Sequence, residues 1–388
     1  MNRAESGLGQ ALRPGWATAG VAVFAGAALG AIGCKQDDNL PASRSEPEAI
    51  QMEEGAAGAE TDIGVDAALL VIFKPLPALV DSFDNPSTPE KVELGRRLYF
   101  DERLSAAGDM SCNSCHPVDR FGTEERALQQ GHGWDAPTRN APSTFNAAGQ
   151  VAMFWDGRVR TVEHAAERHI LGPAPYGLEN VDRLKERLAS IPEYRPAFER
   201  AFPGEALDER TYSKAVGAYL RTLMTPAPWD EFLRWNPNAL TREQKLGFLT
   251  FMRTGCQNCH IGTYLGGTSF QPLGAEEPWP EPAAGAPADS GRFEVTGEAE
   301  DKRVFRVPSL RNVTKTAPYF HDGSVGELPQ AVRLMARHQL GKELNGEQVA
   351  SIITFLETLT GEPTAQQTRR PEGNHGAHSP SDAPGGSE

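Results

Sequence analysis

The sequence predicts an all-α protein built from two related domains. Three observations carry this. Apolar residues recur at spacings of three and four between the turn signals, long alternating strand patterns are scarce, and one pattern, C-x-x-C-H, occurs at 112–116 and again at 256–260 with helical segments around each copy. The two copies share motif and arrangement rather than close sequence identity, and the expected junction lies near 225–240. A length of 388 residues accommodates two medium domains with polar extensions.

Each segment has a local reason. In residues 1–34, Arg3 and Arg13 precede an uncharged Ala/Gly-rich stretch that ends at Cys34, the pattern of an export signal. Ala31-Ile32-Gly33-Cys34 resembles a bacterial lipobox with Ala in place of the usual Leu, so a lipid anchor at Cys34 is the expectation. A plain cleaved signal and an uncleaved anchor are the alternatives. Residues 35–66 are polar and acidic without an apolar period and read as a disordered tether. The first domain is expected over 67–228. Thr88-Pro89-Glu90 opens a helix through Leu94 and Leu98, and Tyr212, Ala215, Val216, Tyr219, Leu220 and Leu223 share one buried helix face. The second domain is expected over 229–360. Thr241 with Gln244 forms a capping box for a helix that stops near Gly255, and Asn345 with Gln348 opens another that stops at Gly361. A Pro-rich segment, 271–290, reads as a surface loop, and 361–388 as a disordered tail whose His375 and His378 are solvated.

Composition removes whole classes of function. With 38 basic and 52 acidic side chains the formal charge is −14, which argues against binding nucleic acid and for a cationic partner. Five cysteines are too few and too clustered for a disulfide scaffold. Four of them form Cys112-Asn113-Ser114-Cys115-His116 and Cys256-Gln257-Asn258-Cys259-His260, the attachment signature of c-type haem. Two thiols so spaced can add to the two vinyl groups of one porphyrin, and the adjacent His reaches the iron. Zinc binding and a thioredoxin-like redox pair are the competing readings. The first is weakened by a separate His after each pair, the second by the lack of a βαβ setting. Export agrees with haem, since bacterial c-type haem is attached outside the cytoplasm.

Further motifs accompany these two: Gly131-His132-Gly133-Trp134, Arg139-Asn140-Ala141-Pro142, Phe154-Trp155-Asp156-Gly157-Arg158, the run from Val304 to Val313, Thr316-Ala317-Pro318-Tyr319-Phe320-His321-Asp322-Gly323 and Gln339-Leu340-Gly341-Lys342. With them, the chain from about Leu70 to Thr360 resembles the bacterial dihaem cytochrome c peroxidases, a family that includes a relative maturing a tryptophan-derived cofactor. The resemblance implies two covalently attached haem c groups in two cytochrome c-like domains. A peroxidatic haem would be held by Cys112, Cys115 and His116, and an electron-transfer haem by Cys256, Cys259 and His260 with Met335 as its second axial ligand. Met335 shares a helix face with Leu328 and Val332, and taken alone would be a core residue. A Tyr at this position marks the cofactor-maturing relative. The resemblance further implies His132 as a releasable distal ligand of the first iron, Glu179 as the catalytic carboxyl, Trp155 as an aromatic residue between the haems, and calcium at Asn140, Thr316 and Pro318. The residues preceding Glu179 depart from the common family pattern. His321 and Asp322 fit haem packing, while His164, His169 and His338 match no role.

The expected function is reduction of hydrogen peroxide to water with electrons from a small reduced cytochrome c or a cupredoxin, in the periplasm or cell envelope, by a homodimer. A dihaem electron carrier without peroxide chemistry, or an oxidase of a protein substrate, are the alternatives. His132 and Glu179 speak against the first and Met335 against the second.

Overall fold

A computed structural model of the chain describes residues 63–124, 126–127, 139–172, 177–280 and 288–372. The export signal, Cys34, tether residues 35–62 and tail residues 373–388 lie outside the described residues, as does His132.

The elements are helices joined by long turns. In chain order they are α1 (Pro89–Phe100), α2 (Cys112–Cys115), α3 (Val162–Ile170), α4 (Val181–Ser190), α5 (Tyr194–Ala201), α6 (Glu209–Leu220), α7 (Pro228–Leu233) and α8 (Arg242–Thr254). After strand β1 (Phe270–Pro272) come α9 (Phe293–Thr296), strand β2 (Val304–Arg306), α10 (Leu328–Leu340), α11 (Gly346–Glu357) and α12 (Ala365–Thr368). The strands pair antiparallel with Gln271 opposite Phe305. The helix starts read from the sequence are present as hydrogen bonds. Lys91 N donates to Thr88 Oγ1 at 3.3 Å, and Thr241 and Gln244 cap each other at 2.9 and 3.3 Å. Asn345 and Gln348 do the same at 2.9 and 3.0 Å, and α8 stops at Gly255 with φ +100°.

Most buried apolar side chains fall in two clusters, with a small third one of Leu76, Met224 and Tyr264. One apolar cluster joins Leu94, Leu98 and Tyr99 of α1 to Tyr212, Ala215, Val216 and Tyr219 of α6, and the other joins Phe248 and Phe251 of α8 to Ile352, Phe355 and Leu356 of α11 around Trp229. Each pair of helices meets backbone to backbone at one glycine. A Cβ on Gly95 would overlap the Ala215 carbonyl, and one on Gly247 the Ser351 carbonyl. Both glycines sit in the helix that leads toward a C-x-x-C-H motif.

Both ends of the folded region depart from the expected spans. The segment 65–73, assigned from sequence to the first domain or the tether, packs in the second cluster: Phe73 is buried there, its ring 5.5 Å from Trp229 and 5.8 Å from Phe248. The expected disordered tail starts too early at 361. Residues 361–372 turn back to the first cluster, where Tyr219 Oη donates to Gln367 O (2.7 Å), Gln367 Nε2 donates to Thr222 O and Met224 O (2.7 and 2.9 Å), and Arg96 Nη1 donates to Arg369 O (2.7 Å). Polar hydrogen bonding, not an apolar face, orders this stretch, so a periodicity argument misses it. Gly361 is not the stop of α11, which ends at Glu357. Its lack of a side chain serves close approach, because a Cβ there would overlap the carbonyl oxygens of Thr225 and Pro226.

Candidate functional site

The second motif follows the glycine stop of α8. Cys256 to Asn258 form a single tight turn, and His260 N donates to Cys256 O at 3.0 Å. His260 Nδ1 donates to Leu265 O at 3.0 Å, which fixes the tautomer and leaves Nε2 as a lone-pair donor. Burial holds this imidazole below its ordinary pKa, hence neutral at pH 7. The loop after His260 is anchored by a buried ion pair. Arg311 binds both carboxylate oxygens of Asp230 (2.7 and 2.9 Å) and donates twice to Thr263 O (3.0 and 2.7 Å), while Ile72 O accepts from Gly262 N (3.0 Å). Cys256, Cys259, His260 and Met335 line one cleft of about 260 Å³ with mainly apolar walls. The structure thus brings together four residues separated by up to 79 positions, and Met335 reaches the cleft from α10 beside Leu328 and Val332.

The first motif repeats this geometry. Cys112–Cys115 is one helical turn, His116 N donates to Cys112 O (2.9 Å), and His116 Nδ1 donates to Gly122 O (3.1 Å). Tyr99 Oη donates to His116 O at 2.6 Å. Burial, with a smaller push from His169, lowers the His116 pKa to about 4. Burial likewise pushes the Cys115 and Cys256 thiols up to about 12. Two cysteines on one turn, followed by a buried imidazole that donates through Nδ1, fit a porphyrin bound through thioethers with the His as iron ligand.

The remaining expected residues divide. Trp155 lines the same cleft, its Nε1–H donating to Asn140 O at 2.8 Å, and its ring lies 6.4 Å from His321. Asn140, Thr316 and Pro318 also meet there. Asn140 is buried with Nδ2 directed at Pro318 O (2.6 Å) and Phe320 O (3.4 Å), while its Oδ1 has no partner. Turning the amide would aim three oxygens at one point, an arrangement that suits a hard cation. Among the described residues no group of three or more His, Cys, Asp or Glu could hold a metal ion, so a cation here would rest on neutral oxygens. Glu179 is exposed, just before the Asn180 cap of α4, and 173–176 lie outside the described residues. The chain beside it abuts the loop leading into Cys112, since α4 clamps that loop through Arg187 Nη1 to Arg103 O (2.7 Å) and Ser105 O (3.0 Å).

Two residues were missed. His169, given no role from sequence, lies with its ring centre 6.2 Å from that of His116, stacked on Phe154 at 5.2 Å, with Nδ1 donating to Ala165 O (2.8 Å). Its position on the last turn of α3 gave no signal, because its spacing is that of an ordinary half-buried helix residue. Arg306 sits inside a quoted motif, yet a sequence does not show whether an arginine is buried or paired.

The family described as di-haem cytochrome c peroxidase matches residues 89–238. A protein named cytochrome c551 peroxidase from Pseudomonas aeruginosa is 40% identical over 297 residues, which cover 75% of this chain and 84% of that one. One of the same name from Nitrosomonas europaea is 38% identical, covering 71% and 82%. The methylamine utilization protein MauG of Methylorubrum extorquens is 31% identical, covering 80% and 90%. Among solved structures, a MauG-like protein associated with microbial copper homeostasis superposes with a TM-score of 0.67 at 28% identity, covering 77% of this chain and 97% of that one. No helix among the described residues is long and apolar enough to cross a membrane. With relatives of this identity matched over most of their length, and with two equivalent C-x-x-C-H sites, the chain belongs to the di-haem cytochrome c peroxidase family.

Proposed function

We propose that the chain reduces hydrogen peroxide to two waters, taking up two electrons and two protons, with a small reduced cytochrome c or cupredoxin as donor. The observation that carries this is the pair of matching C-x-x-C-H sites, each with an imidazole fixed through Nδ1 to a backbone carbonyl, the second with Met335 in its cleft wall. The relatives named cytochrome c551 peroxidase support the same reading. Haem bound covalently at each site supplies a redox iron, the first for cleaving the O–O bond and the second for holding one electron until it is needed.

The chain's residues would divide the work as follows. Cys112, Cys115 and His116 hold the peroxidatic group, and Cys256, Cys259, His260 and Met335 the electron-transfer group. With Met335 and His260 both holding it, the second haem would favour the ferrous state and have a raised potential, as a reservoir requires. Glu179 would take a proton from one peroxide oxygen and return it to the departing one, so that water would leave rather than hydroxide. His132 would hold the first haem in the oxidised protein and release it after reduction, a gate that would admit peroxide only when an electron is stored. Trp155, fixed by its bond to Asn140 O, would serve as the aromatic residue between the haems. Calcium bound by Asn140, Thr316 and Pro318 would tie the segment carrying Trp155 to the segment beside Met335. A periplasmic or envelope location, a lipid anchor at Cys34 and a homodimer complete the reading. Met335, where the cofactor-maturing relative has Tyr, favours peroxide as substrate over a protein.

The test is H2O2-dependent oxidation of a reduced small cytochrome c by the purified protein carrying both haems, with and without prior half-reduction and added calcium. Turnover is expected. Glu179→Gln should keep both haem spectra while turnover falls by a factor on the order of 10² or more. His132→Gly should remove any need for prior reduction. Absence of turnover in either state, with both haems attached and a second donor tried, would make the chain an electron carrier.

A further inference from the structure

Four arginines are buried among the described residues, and three have a carboxylate partner. Arg96 lies 2.6 Å from Glu93, Arg221 2.8 Å from Glu163, and Arg311 2.7 Å from Asp230. The fourth, Arg306 at the end of β2, has none. It is 5% exposed, its Nε donates to Phe154 O (3.2 Å), its Nη1 donates to Gln150 Oε1, and its Nη2 has no protein partner among the described residues. All of these acceptors are neutral. Burial without an acid pulls its pKa down to about 10, against the usual behaviour of guanidinium groups. A buried charge so placed is costly unless something outside the polypeptide neutralises it.

The place of Arg306 says what that is. It lines the cleft shared by Cys256, Cys259, His260 and Met335, and the next two residues, Val307 and Pro308, line it too. Among the described residues no Asp or Glu lines this cleft. Haem carries two propionate carboxylates, and the planar fork of a guanidinium matches a carboxylate in a bidentate pair. Gln150 and the Phe154 carbonyl hold the Arg306 side chain from the segment that also bears Trp155, so its orientation is set before any ligand arrives.

We propose that Arg306 is the counter-ion of a propionate of the haem attached at Cys256 and Cys259, positioning that haem and helping to keep its potential high. This rests on the haem reading of the second motif. Arg306 is a positioning residue, because it touches the cofactor's periphery and not the reacting atoms. Its positive charge disfavours the ferric state, so removing the charge should lower the potential.

The experiment uses the full protein carrying both haems, with Arg306→Gln and Arg306→Lys. A pyridine haemochrome count comes first: fewer than two haems per wild-type chain defeats the underlying reading and is told apart from a failure of the present one. Spectroelectrochemical titration then reads the potential of the second haem, and resonance Raman its propionate bending band. In Arg306→Gln the potential is expected to fall and the band to shift. In Arg306→Lys, which keeps the charge but loses the fork, the potential is expected to stay near wild type while the band still shifts. An unchanged band in both variants overturns the proposal. If the Gln variant does not load haem, an unchanged band in the Lys variant alone overturns it. A wild-type potential that follows added chloride or phosphate, with an indifferent propionate band, also overturns it, by showing that a free anion occupies the position.

Discussion

Replacing Asp230 by Asn should loosen the loop that presents His260, at a cost large enough to measure globally. Asp230 is fully buried and its two oxygens accept four hydrogen bonds, from Leu76 N (2.6 Å), Ala227 N (2.8 Å) and the two Nη atoms of Arg311 (2.7 and 2.9 Å). Asparagine keeps the shape but leaves the Arg311 guanidinium, itself 4% exposed, without its counter-charge. Breaking a buried pair in this way costs about 3–5 kcal/mol. Asp230→Ala should lose about 1–2 kcal/mol more, since the asparagine amide oxygen still accepts from one of the two backbone N–H groups and alanine from neither. Against a typical stability of about 5–15 kcal/mol this is a substantial fraction. Urea unfolding of the haem-loaded protein, followed by far-ultraviolet circular dichroism, gives the free energy, and the second haem's axial-ligand spectrum reports on His260 in the same samples. The double variant Asp230→Asn with Arg311→Met, which removes the stranded charge, should recover part of the loss. An Asp230→Asn protein within 1 kcal/mol of wild type, with no recovery in the double variant, would refute the assignment of that energy to the ion pair.

Met335→Ala should lower the potential of the second haem and abolish its methionine-to-iron charge-transfer band, and a retained band would place the axial sulfur elsewhere. Gly361→Ala should destabilise by about 1–3 kcal/mol, because its methyl group has to displace the Thr225 and Pro226 carbonyls; an unmoved urea midpoint would show that the backbone there yields freely. Acid should weaken the fold in a defined window. Burial pushes the Glu163 and Asp289 carboxyls up, but hydrogen bonds from Arg221 and Asn85 to the first, and from Arg139 and Gly291 N to the second, outweigh it and leave both below their ordinary values of 4.5 and 3.8. The unfolded chain then binds protons first as pH falls, so their contribution is intact above about 4.5 and is lost progressively below it. A urea midpoint that stays flat from pH 5 to pH 3 would contradict this sign.

The legible parts of the molecule were those written in local chemistry. Thr88, Thr241 and Asn345 announce helix starts by side chains that can satisfy only nearby N–H groups, and the structure places each at the cap. Cys256, Cys259 and His260 are neighbours in sequence, so their spacing carries their function, and the placement of Met335 in the same cleft follows the motif that named it. What escaped is what depends on distant contact. The ordering of 361–372 rests on Tyr219 and Gln367, 148 positions apart, and Arg306 is singular only because no carboxylate comes near it. His169 became notable through the proximity of His116, which no helical period encodes.

The exchange of chain ends between the two apolar clusters has a consequence for how the molecule can come apart. Phe73 closes the half that contains Trp229, and Gln367 closes the half that contains Tyr219, so each half borrows its last wall from the far end of the polypeptide. A nick in the 225–240 junction would therefore leave two fragments that still clasp each other, whereas genes cut there and translated separately would each specify a half with an open side. Neither half can melt without releasing a strap from the other. The two redox sites are in this way bound to a common fate: loss of the packing around one C-x-x-C-H motif withdraws support from the loop that holds the other.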